Sequence, residues 1–269
     1  MTCTEAPTNL LSTKTILHIG TWNFRTMYDA RKAARIAAEM RRYSLSLLGL
    51  CETKWTQSEQ RRFMTGETIL FSGREEDGAP HSLGVGLMMG KEAQKAFIGW
   101  KPRGPRHMTA SFRTKLKNIK MNVIVCYAST NDIREEDKDN FYEQFSAILE
   151  QFSNKDINML MGDFNAKIGD DNKGFEEIMG CYGIGEMNED GERFAETCAI
   201  NSFVIGGSIY QHKRIHKATW ISPDHVTENQ IDHICICKKF RRSLLDVRVK
   251  RGADVASDHQ LVTAKMRIN

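Results

Sequence analysis

Acidic, amide and imidazole side chains stand directly beside apolar runs at several places in this 269-residue chain. Asp163 and Asn165 follow INMLMG, and Asp258 with His259 precedes QLVTA. An ionisable group crowded beside apolar segments is costly to leave unpaired, which favours a functional role for these residues. The segments GDFN and SDH are therefore the strongest single candidates for a chemical site.

Four further polar residues stand at the ends of apolar runs but are weaker candidates on their own. Asn23 follows ILHIGTW, Glu52 follows LSLLGLC, Tyr127 ends NVIVCY and Asp232 opens IDHICI. Turn formation, helix capping or core packing explains each of them separately better than chemistry does.

Taken together, these positions suit the hydrolysis of a phosphodiester. The hard oxygen ligands that a divalent cation prefers could come from acidic and amide side chains, namely Asn23, Glu52, Asp163, Asn165 and Asp258. The reaction also needs a water made nucleophilic and donors for the charge that develops on the phosphoryl oxygens. His259, Tyr127 and the Asn165 amide are the candidate donors.

Other chemistries lack a signature. The seven cysteines are scattered without a C-x-x-C pair, so we interpret them as reduced core residues rather than zinc ligands. His212 and His216 are four apart, but they lie in the basic run QHKRIHK, where solvation or phosphate contact is the better interpretation. The chain has no G-x-S-x-G elbow and no phosphate-binding G-x-x-x-x-G-K-[ST] loop.

The net charge of +4 hides a strong asymmetry along the chain. Residues 1–90 carry +2, 91–130 carry +8, 131–200 carry −12 and 201–269 carry +6. The two basic blocks could form a phosphate-binding face, although charge alone favours solvated surfaces. No apolar stretch is long enough to cross a bilayer or to act as a secretory leader, so we expect an intracellular protein without a membrane partner.

Twelve apolar or alternating runs predict strands, and they make this a strand-rich α/β chain. The runs are 16–22, 45–50, 67–73, 82–89, 108–114, 119–128, 157–164, 202–206, 217–222, 231–236, 246–250 and 260–266. Helices are predicted over 29–43 with Asp29 as N-cap, from Glu135 with an apolar stripe, and over 193–201. Because no linker or repeat interrupts this order, we expect one domain over 15–269 after a flexible tail at 1–14.

An ordered set of motifs then resembles the endonuclease/exonuclease/phosphatase superfamily. The set is TWN (21–23), CET (51–53), CYA (126–128), GDFN (162–165), TW (219–220), QIDHI (230–234) and SDH (257–259), and it covers about 250 residues. Within the superfamily the chain is similar to the apurinic/apyrimidinic-type endonuclease domains of non-LTR retrotransposons. The resemblance implies a four-layer α/β sandwich of two mainly antiparallel sheets flanked by helices.

The resemblance also implies a role for each matching residue. Glu52 would be the main Mg²⁺ carboxylate, with Asn23, Asp258, Asp163, Asn165 and His259 completing the metal site. Asp163 would orient or deprotonate the attacking water. Tyr127, Asn165 and His259 would contact the phosphate, and Asp232 would hold His259 in place. The number of metals and the identity of the base stay open, and Mn²⁺ could replace Mg²⁺.

The implied activity is nicking of one strand of duplex DNA by a nuclear, monomeric enzyme with no small-molecule cofactor. Four basic segments could contact backbone phosphates, at 101–107, 113–120, 212–217 and 238–242. Among them we single out Arg214 and Lys217, with Trp220 as a further candidate DNA contact. Two alternatives stay open, a DNA-binding module without turnover and a phosphatase of a small molecule. The absence of a polymerase motif predicts an isolated endonuclease segment or a host-encoded remnant.

Overall fold

The fold is a four-layer α/β sandwich in which two mixed sheets pack face to face between outer helices. It is described here from a computed structural model, over residues 16–27, 30–75, 81–128, 134–253 and 257–267. Strands β1–β15 and helices α1–α4 are numbered along the chain. This architecture confirms the predicted fold class.

The first sheet has seven strands in the order β14-β15-β1-β2-β5-β4-β3. They are β1 (Leu17–Asn23), β2 (Leu47–Cys51), β3 (Ser58–Arg62), β4 (Thr68–Ser72), β5 (Val85–Met89), β14 (Leu244–Lys250) and β15 (Leu261–Met266). The β1–β2 pair is parallel and the other pairs are antiparallel. The first and last parts of the chain therefore meet at the centre of this sheet, where β15 pairs with β1.

The second sheet has six strands in the order β10-β13-β9-β8-β7-β6. They are β6 (Phe97–Pro102), β7 (His107–Arg113), β8 (Lys120–Tyr127), β9 (Ile157–Asp163), β10 (Phe203–Ile205) and β13 (Asp232–Cys237). Only the β8–β9 pair is parallel within it. A short ribbon of β11 (Trp220–Ile221) and β12 (Glu228–Asn229) stands apart, and three-residue or six-residue 3-10 helices cover Gly206–Ser208, Arg214–His216 and Lys238–Ser243.

Helices cover the outer faces of both sheets. They are α1 (Ala30–Arg42), α2 (Lys91–Ala96), α3 (Glu135–Leu149) and α4 (Glu189–Ile200). Helix α1 buries Ile36, Ala37 and Met40 in a cluster with residues of the seven-stranded sheet, and α3 packs Phe141 and Phe145 against the six-stranded sheet. Both stripes follow the 3.6-residue period that the sequence predicts.

The strands between the layers are buried on both faces, which explains their nearly continuous apolar runs. In β8, Val123 and Val125 face the core between the sheets, whereas Ile124 and Cys126 face α3. Such strands are rigid and keep the position of the residue at each strand end fixed.

All twelve predicted strand runs overlap strands, but β3, β6, β12 and helix α2 were not predicted. Helix α4 begins four residues earlier than predicted, because the Asn188 side chain accepts a hydrogen bond from Gly191 N (2.9 Å) and caps the helix at that point. The predicted tail at 1–14 and the Asp29 cap lie outside the described residues. Within the described ranges, no helix combines the length and apolar composition needed to cross a lipid bilayer.

Candidate active site

Strands of both sheets end at the same end of the sandwich, which we call the site pole. In the six-stranded sheet, Tyr127, Asp163 and Asp232 are register partners on β8, β9 and β13. In the seven-stranded sheet, Asn23 ends β1 beside Cys51, and Glu52 follows directly. The predicted site residues are thus brought together from both sheets.

Asn23 joins two carboxylates across the sheets. Its Nδ2 donates to Glu52 Oε1 (3.0 Å) and to Asp163 Oδ2 (2.8 Å), while its Oδ1 accepts from the Arg25 backbone N–H (3.1 Å). Asn23 is 1% exposed, so these bonds are made away from water. The structure therefore gives Asn23 the position of a carboxylate bridge, and the prediction that it ligates a metal stays a prediction.

The backbone turns sharply at the residues that point into the site. Glu52 and Asn165 have φ angles of 56° and 50°, in the left-handed region that few side chains other than Asn adopt. Gly162 allows β9 to lie against β8, because a Cβ there would be 1.8 Å from the Cys126 carbonyl oxygen. The strained Glu52 backbone indicates that the surrounding contacts hold this carboxylate in place.

Asp163, Asp232 and His259 form a buried ionisable cluster in which three ligand atoms lie within 4.8 Å of one another. His259 Nδ1 lies 2.9 Å from Asp232 Oδ2, and His259 Nε2 lies 3.9 Å from Asp163 Oδ2. Burial and the neighbouring Asp232 charge raise the pKa of Asp163 to about 7. Burial alone would lower the pKa of His259, but the charges of Asp232 and Asp163 outweigh it and raise the pKa to about 9. In the metal-free protein these charges therefore favour the imidazolium form of His259 at neutral pH.

Further hydrogen bonds fix the loops that carry Asn23, Asp232 and His259. The Trp22 indole donates to the His259 carbonyl oxygen (3.0 Å), and the Ser257 hydroxyl donates to the Asn23 carbonyl oxygen (2.7 Å). Thr219 Oγ1 accepts from the backbone N–H groups of Ile231 (3.0 Å) and Asp232 (3.1 Å). The SDH loop is therefore tied to the end of β1, and the start of β13 is tied to the TW segment.

Asp258 is held through one oxygen only. Its Oδ2 accepts from the Trp220 indole (2.9 Å) and pairs with Arg25 Nη2 (3.0 Å). Oδ1 of Asp258 and Oδ1 of Asp232 are buried and have no hydrogen-bond partner among the described residues. A divalent cation satisfies such orphaned carboxylate oxygens and relieves the repulsion that raises the pKa of Asp163. The donor set therefore fits a hard cation such as Mg²⁺ or Mn²⁺.

The cluster opens into a cleft of about 400 Å³. The residues that line it are Arg25, Glu52, Tyr127, Asp163, Asn165, Lys167, Trp220, Asn229, Ile231 and His259. Burial and the neighbouring carboxylates raise the pKa of Tyr127, so its hydroxyl stays protonated. The Arg106 guanidinium lies over the Tyr127 ring at 5.6 Å and bonds the Tyr127 carbonyl (3.2 Å), which holds this ring at the cleft wall.

The predicted DNA contacts are only partly free in the structure. Arg214 pairs with Glu228 (2.9 Å), and Lys217 Nζ donates to the Tyr182 (2.9 Å) and Gly183 (3.2 Å) carbonyls. Trp220 lines the cleft with its indole N–H held by Asp258, so it supports the site directly. Their roles as DNA contacts stay predictions.

Two of the four basic segments lie away from the site pole. Segments 113–120 and 238–242 lie at the opposite end of the six-stranded sheet. Segment 113–120 connects the end of β7 to the start of β8, and segment 238–242 follows the end of β13. Sequence reasoning also missed Arg25 and Lys167 in the cleft and Trp22 behind it. The TWN motif, in which Trp22 precedes Asn23 and Arg25 follows two residues later, was the available signal.

No protein-family model matches the chain. It is 33% identical over 250 residues to craniofacial development protein 2 of Bos taurus, and this alignment covers 93% of the chain and 41% of that protein. The same protein of Tragulus javanicus is also 33% identical, with 93% and 42% covered. The chain thus spans about two fifths of the length of the curated relatives it matches.

Several solved structures share the fold. AP endonuclease LMAP from Leishmania major has a TM-score of 0.70 at 14% identity, over 94% of this chain and 88% of that one. The endonuclease domain of TRAS1, a telomere-specific non-LTR retrotransposon, has a TM-score of 0.65 at 14% identity, over 94% of this chain and 99% of that one. An endonuclease/exonuclease/phosphatase family protein from Leptotrichia buccalis has a TM-score of 0.63 at 13% identity, over 93% of this chain and 99% of that one. The motif resemblance is confirmed at this level: the chain has the endonuclease/exonuclease/phosphatase fold and is a sequence relative of craniofacial development protein 2.

Proposed function

We propose that the chain is a divalent-metal-dependent endonuclease that hydrolyses phosphodiester bonds and nicks one strand of DNA, at a retrotransposon target site or at an apurinic/apyrimidinic site. The observation that carries the proposal is the meeting of the buried carboxylates Asp163 and Asp232 of one sheet with half-buried Glu52 and buried His259 of the other at one cleft. Two similar solved structures, an AP endonuclease and the endonuclease domain of a telomere-specific non-LTR retrotransposon, support this substrate class.

The metal would be held by the predicted oxygen ligands at the site pole. Glu52, Asp163 and Asp258 supply carboxylates, and the Asn23 and Asn165 amides and His259 lie beside them. When bound there, Mg²⁺ or Mn²⁺ neutralises charge on a phosphoryl oxygen and lowers the pKa of a coordinated water.

Asp163 is the residue best placed to accept the proton of the attacking water. The Asn165 backbone N–H donates to its Oδ1 (3.0 Å), and Asn23 Nδ2 donates to its Oδ2 (2.8 Å), so the carboxylate cannot rotate freely. Burial raises the pKa of this carboxyl above its ordinary value, which makes it a stronger base than an exposed aspartate.

His259, Tyr127 and Asn165 supply donors for the phosphate. Asp232 occupies His259 Nδ1, which leaves the Nε2–H of the imidazolium for a phosphoryl oxygen. The Tyr127 hydroxyl keeps its proton and can donate it in a hydrogen bond. The Asn165 Nδ2 group donates one hydrogen to the Ala128 carbonyl (3.2 Å) and has a second for the substrate.

Cations around the cleft would bind the DNA backbone, since Arg25, Lys54, Arg106 and Lys167 all lie near the carboxylates. Arg214, Lys217 and Trp220 would extend this contact on the side of the β11–β12 ribbon. Binding of this kind is salt-dependent and nearly independent of sequence.

Relaxation of supercoiled plasmid tests the proposal. We expect nicking with Mg²⁺ and none with EDTA, and Glu52→Gln should slow it more than about 100-fold, because even residues that only orient a metal ligand contribute 10–100-fold. Glu59→Gln on the exposed strand β3 is the matched control and should nick like the wild type.

Three results would reject the proposal. Equal nicking by wild type and Glu52→Gln would remove the metal site from the reaction. Tight binding of DNA without turnover by the wild type would indicate a catalytically silent module. Hydrolysis of inositol phosphates or nucleotides, with neither abasic nor intact duplex cut, would indicate a small phosphorylated substrate.

A further inference from the structure

Two basic segments meet at the end of the six-stranded sheet that is opposite the site pole. The β7–β8 hairpin and the 3-10 helix after β13 adjoin across Asp156, whose Oδ1 accepts from Lys120 N (2.9 Å) and whose carbonyl oxygen lies 3.7 Å from Cys237 Sγ. We call this surface the basic pole and define it by six exposed cations: Lys115, Lys117, Lys120, Lys155, Lys239 and Arg241.

The charges of the basic pole are not neutralised within the protein. None of the six cations forms an ion pair with a carboxylate in the described part of the chain, whereas neighbouring Lys238 pairs with Glu177 (2.5 Å). Asp156, which lies between the two segments, is already engaged, because its Oδ2 also accepts from Asn122 Nδ2 (3.3 Å). Clustered cations without counter-charges attract a polyanion and bind it by counterion release.

The surface of the basic pole also contains a cleft. A cleft of about 590 Å³ opens there between the ends of α3 and α4, with Asn154, Asn201, Lys238 and Lys239 in its lining. Its amide groups can donate to phosphate or sugar oxygens, and Lys239 supplies a charge without an ionic partner, while Glu150 lines the side of the cleft formed by α3. A solvated lysine surface needs no such polar recess.

The basic pole is too far from the site pole to hold the same stretch of backbone. Strand β8 runs from Lys120 to Tyr127, and at about 3.3 Å per residue it separates the two ends by roughly 23 Å. A lysine side chain does not reach across that distance. Whatever polyanion the basic pole holds is therefore a different segment from the one in the cleft.

The rings near the basic pole favour duplex over single strands. Trp100, Phe152 and Phe240 are half-buried and Phe203 is 3% exposed, so none of these rings is fully exposed for unpaired bases to stack on. Proteins that bind single strands use such rings together with cations. Cations alone suit the regular phosphates of a duplex.

We propose that the basic pole is a second binding site for duplex DNA, separate from the candidate active site and occupied by another segment of the same or a neighbouring duplex. The protein then bridges two DNA segments from opposite ends of one sandwich. This inference concerns binding and stands whether or not the cleft hydrolyses DNA.

Charge neutralisation at the basic pole tests the proposal. Lys239→Gln/Arg241→Gln is compared with Arg62→Gln/Lys173→Gln, which removes two exposed cations elsewhere, and melting curves confirm that both fold. Affinity for a 30-base-pair duplex is measured by fluorescence anisotropy in EDTA, so that no cleavage is needed. We expect about tenfold weaker binding and a salt slope smaller by about 2 for the pole variant, and less than twofold change for the control.

Two further readouts separate the basic pole from the cleft. Nicking of a hairpin with a stem of about five base pairs, roughly 17 Å long at 3.4 Å per pair and so shorter than the distance between the poles, should be the same in the pole variant and the wild type. Wild type, but not the pole variant, should retain a second labelled duplex when a first is bound. Equal affinity of the two variants, weaker nicking of the short hairpin in the pole variant, or an effect confined to single-stranded DNA or RNA would each overturn the proposal.

Discussion

The two ends of the six-stranded sheet treat charge in opposite ways. At the site pole, Asp163 and Asp232 are at most 2% exposed, and each is coupled to His259 or Asn23. At the basic pole the charges are exposed and stand without ionic partners. Buried charges interact strongly and depend on one another, whereas exposed charges are screened by salt and act almost independently. The same strands therefore carry a cluster of interdependent charges at one end. At the other end they carry a surface on which each charge contributes separately.

The largest effect is expected where this coupling is strongest, at Asp163. Asp163→Asn should lower plasmid nicking by about 10²–10⁴-fold, the usual contribution of a general base. The same change should raise the melting temperature of the metal-free protein at pH 8. Because the folded pKa of Asp163 is raised to about 7, its contribution to stability is lost as the pH rises through 7, and an amide cannot ionise.

Nicking assays with Mg²⁺ measure the loss of activity, and calorimetry of the same preparation in EDTA measures the change in melting temperature. A variant that loses activity and also melts lower than the wild type at pH 8 would show that the carboxylate is not under electrostatic stress. Exposed Asp171→Asn is the matched control, and it should change neither quantity.

A second effect is expected in the pH dependence of stability. The folded pKa of His259, about 9, lies above its ordinary value of 6.5, so this histidine stabilises the fold fully below 6.5 and loses that contribution as the pH rises through 9. The melting temperature of the metal-free wild type should therefore fall as the pH rises from 6.5 to 9. Asp232→Asn removes the largest charge that raises the pKa of His259 and should flatten this decline.

Thermal melts at half-unit steps of pH check this expectation. Asp224→Asn is the control, because the pKa of the exposed Asp224 is lowered and this group is ionised throughout that range. Parallel curves for wild type and Asp232→Asn would contradict the coupling of His259 to Asp232.

The smallest effect is expected at Arg25, an exposed cation that has a partner, unlike those at the basic pole. Its guanidinium balances Asp258 at 3.0 Å. Arg25→Gln should tighten Mn²⁺ or Mg²⁺ binding by about two- to fivefold, because an exposed charge pair contributes about 0.2–1 kcal/mol. Isothermal titration of the DNA-free protein measures this, with Arg61→Gln on β3 as control. Weaker metal binding by Arg25→Gln would instead mean that Arg25 orients Asp258 for the cation.

The sequence predicts the site better than it predicts the surfaces. The residues at the site pole follow apolar strands that are buried on both faces, and such strands are recognised from their composition alone. Strand β3 was missed because its residues, SEQRR, are exposed on the sheet edge and show no alternation. Arg25 was missed because it lies two residues beyond TWN, so that only its position after the motif indicated it. The separation of the basic segments depends on strand order, which charge counting along the chain does not contain.

The pairing of β1 with both β2 and β15 has a consequence for the newly made protein. The Ser257 hydroxyl bonds the Asn23 carbonyl, and Trp22 bonds the His259 carbonyl, across 234 and 237 residues of chain. Contacts this distant in sequence form late, because closing such long loops is slow. A chain that has emerged only as far as β13 thus has Asn23, Glu52, Asp163 and Asp232 but neither Asp258 nor His259. The candidate site is therefore complete only once β15 has emerged and inserted beside β1.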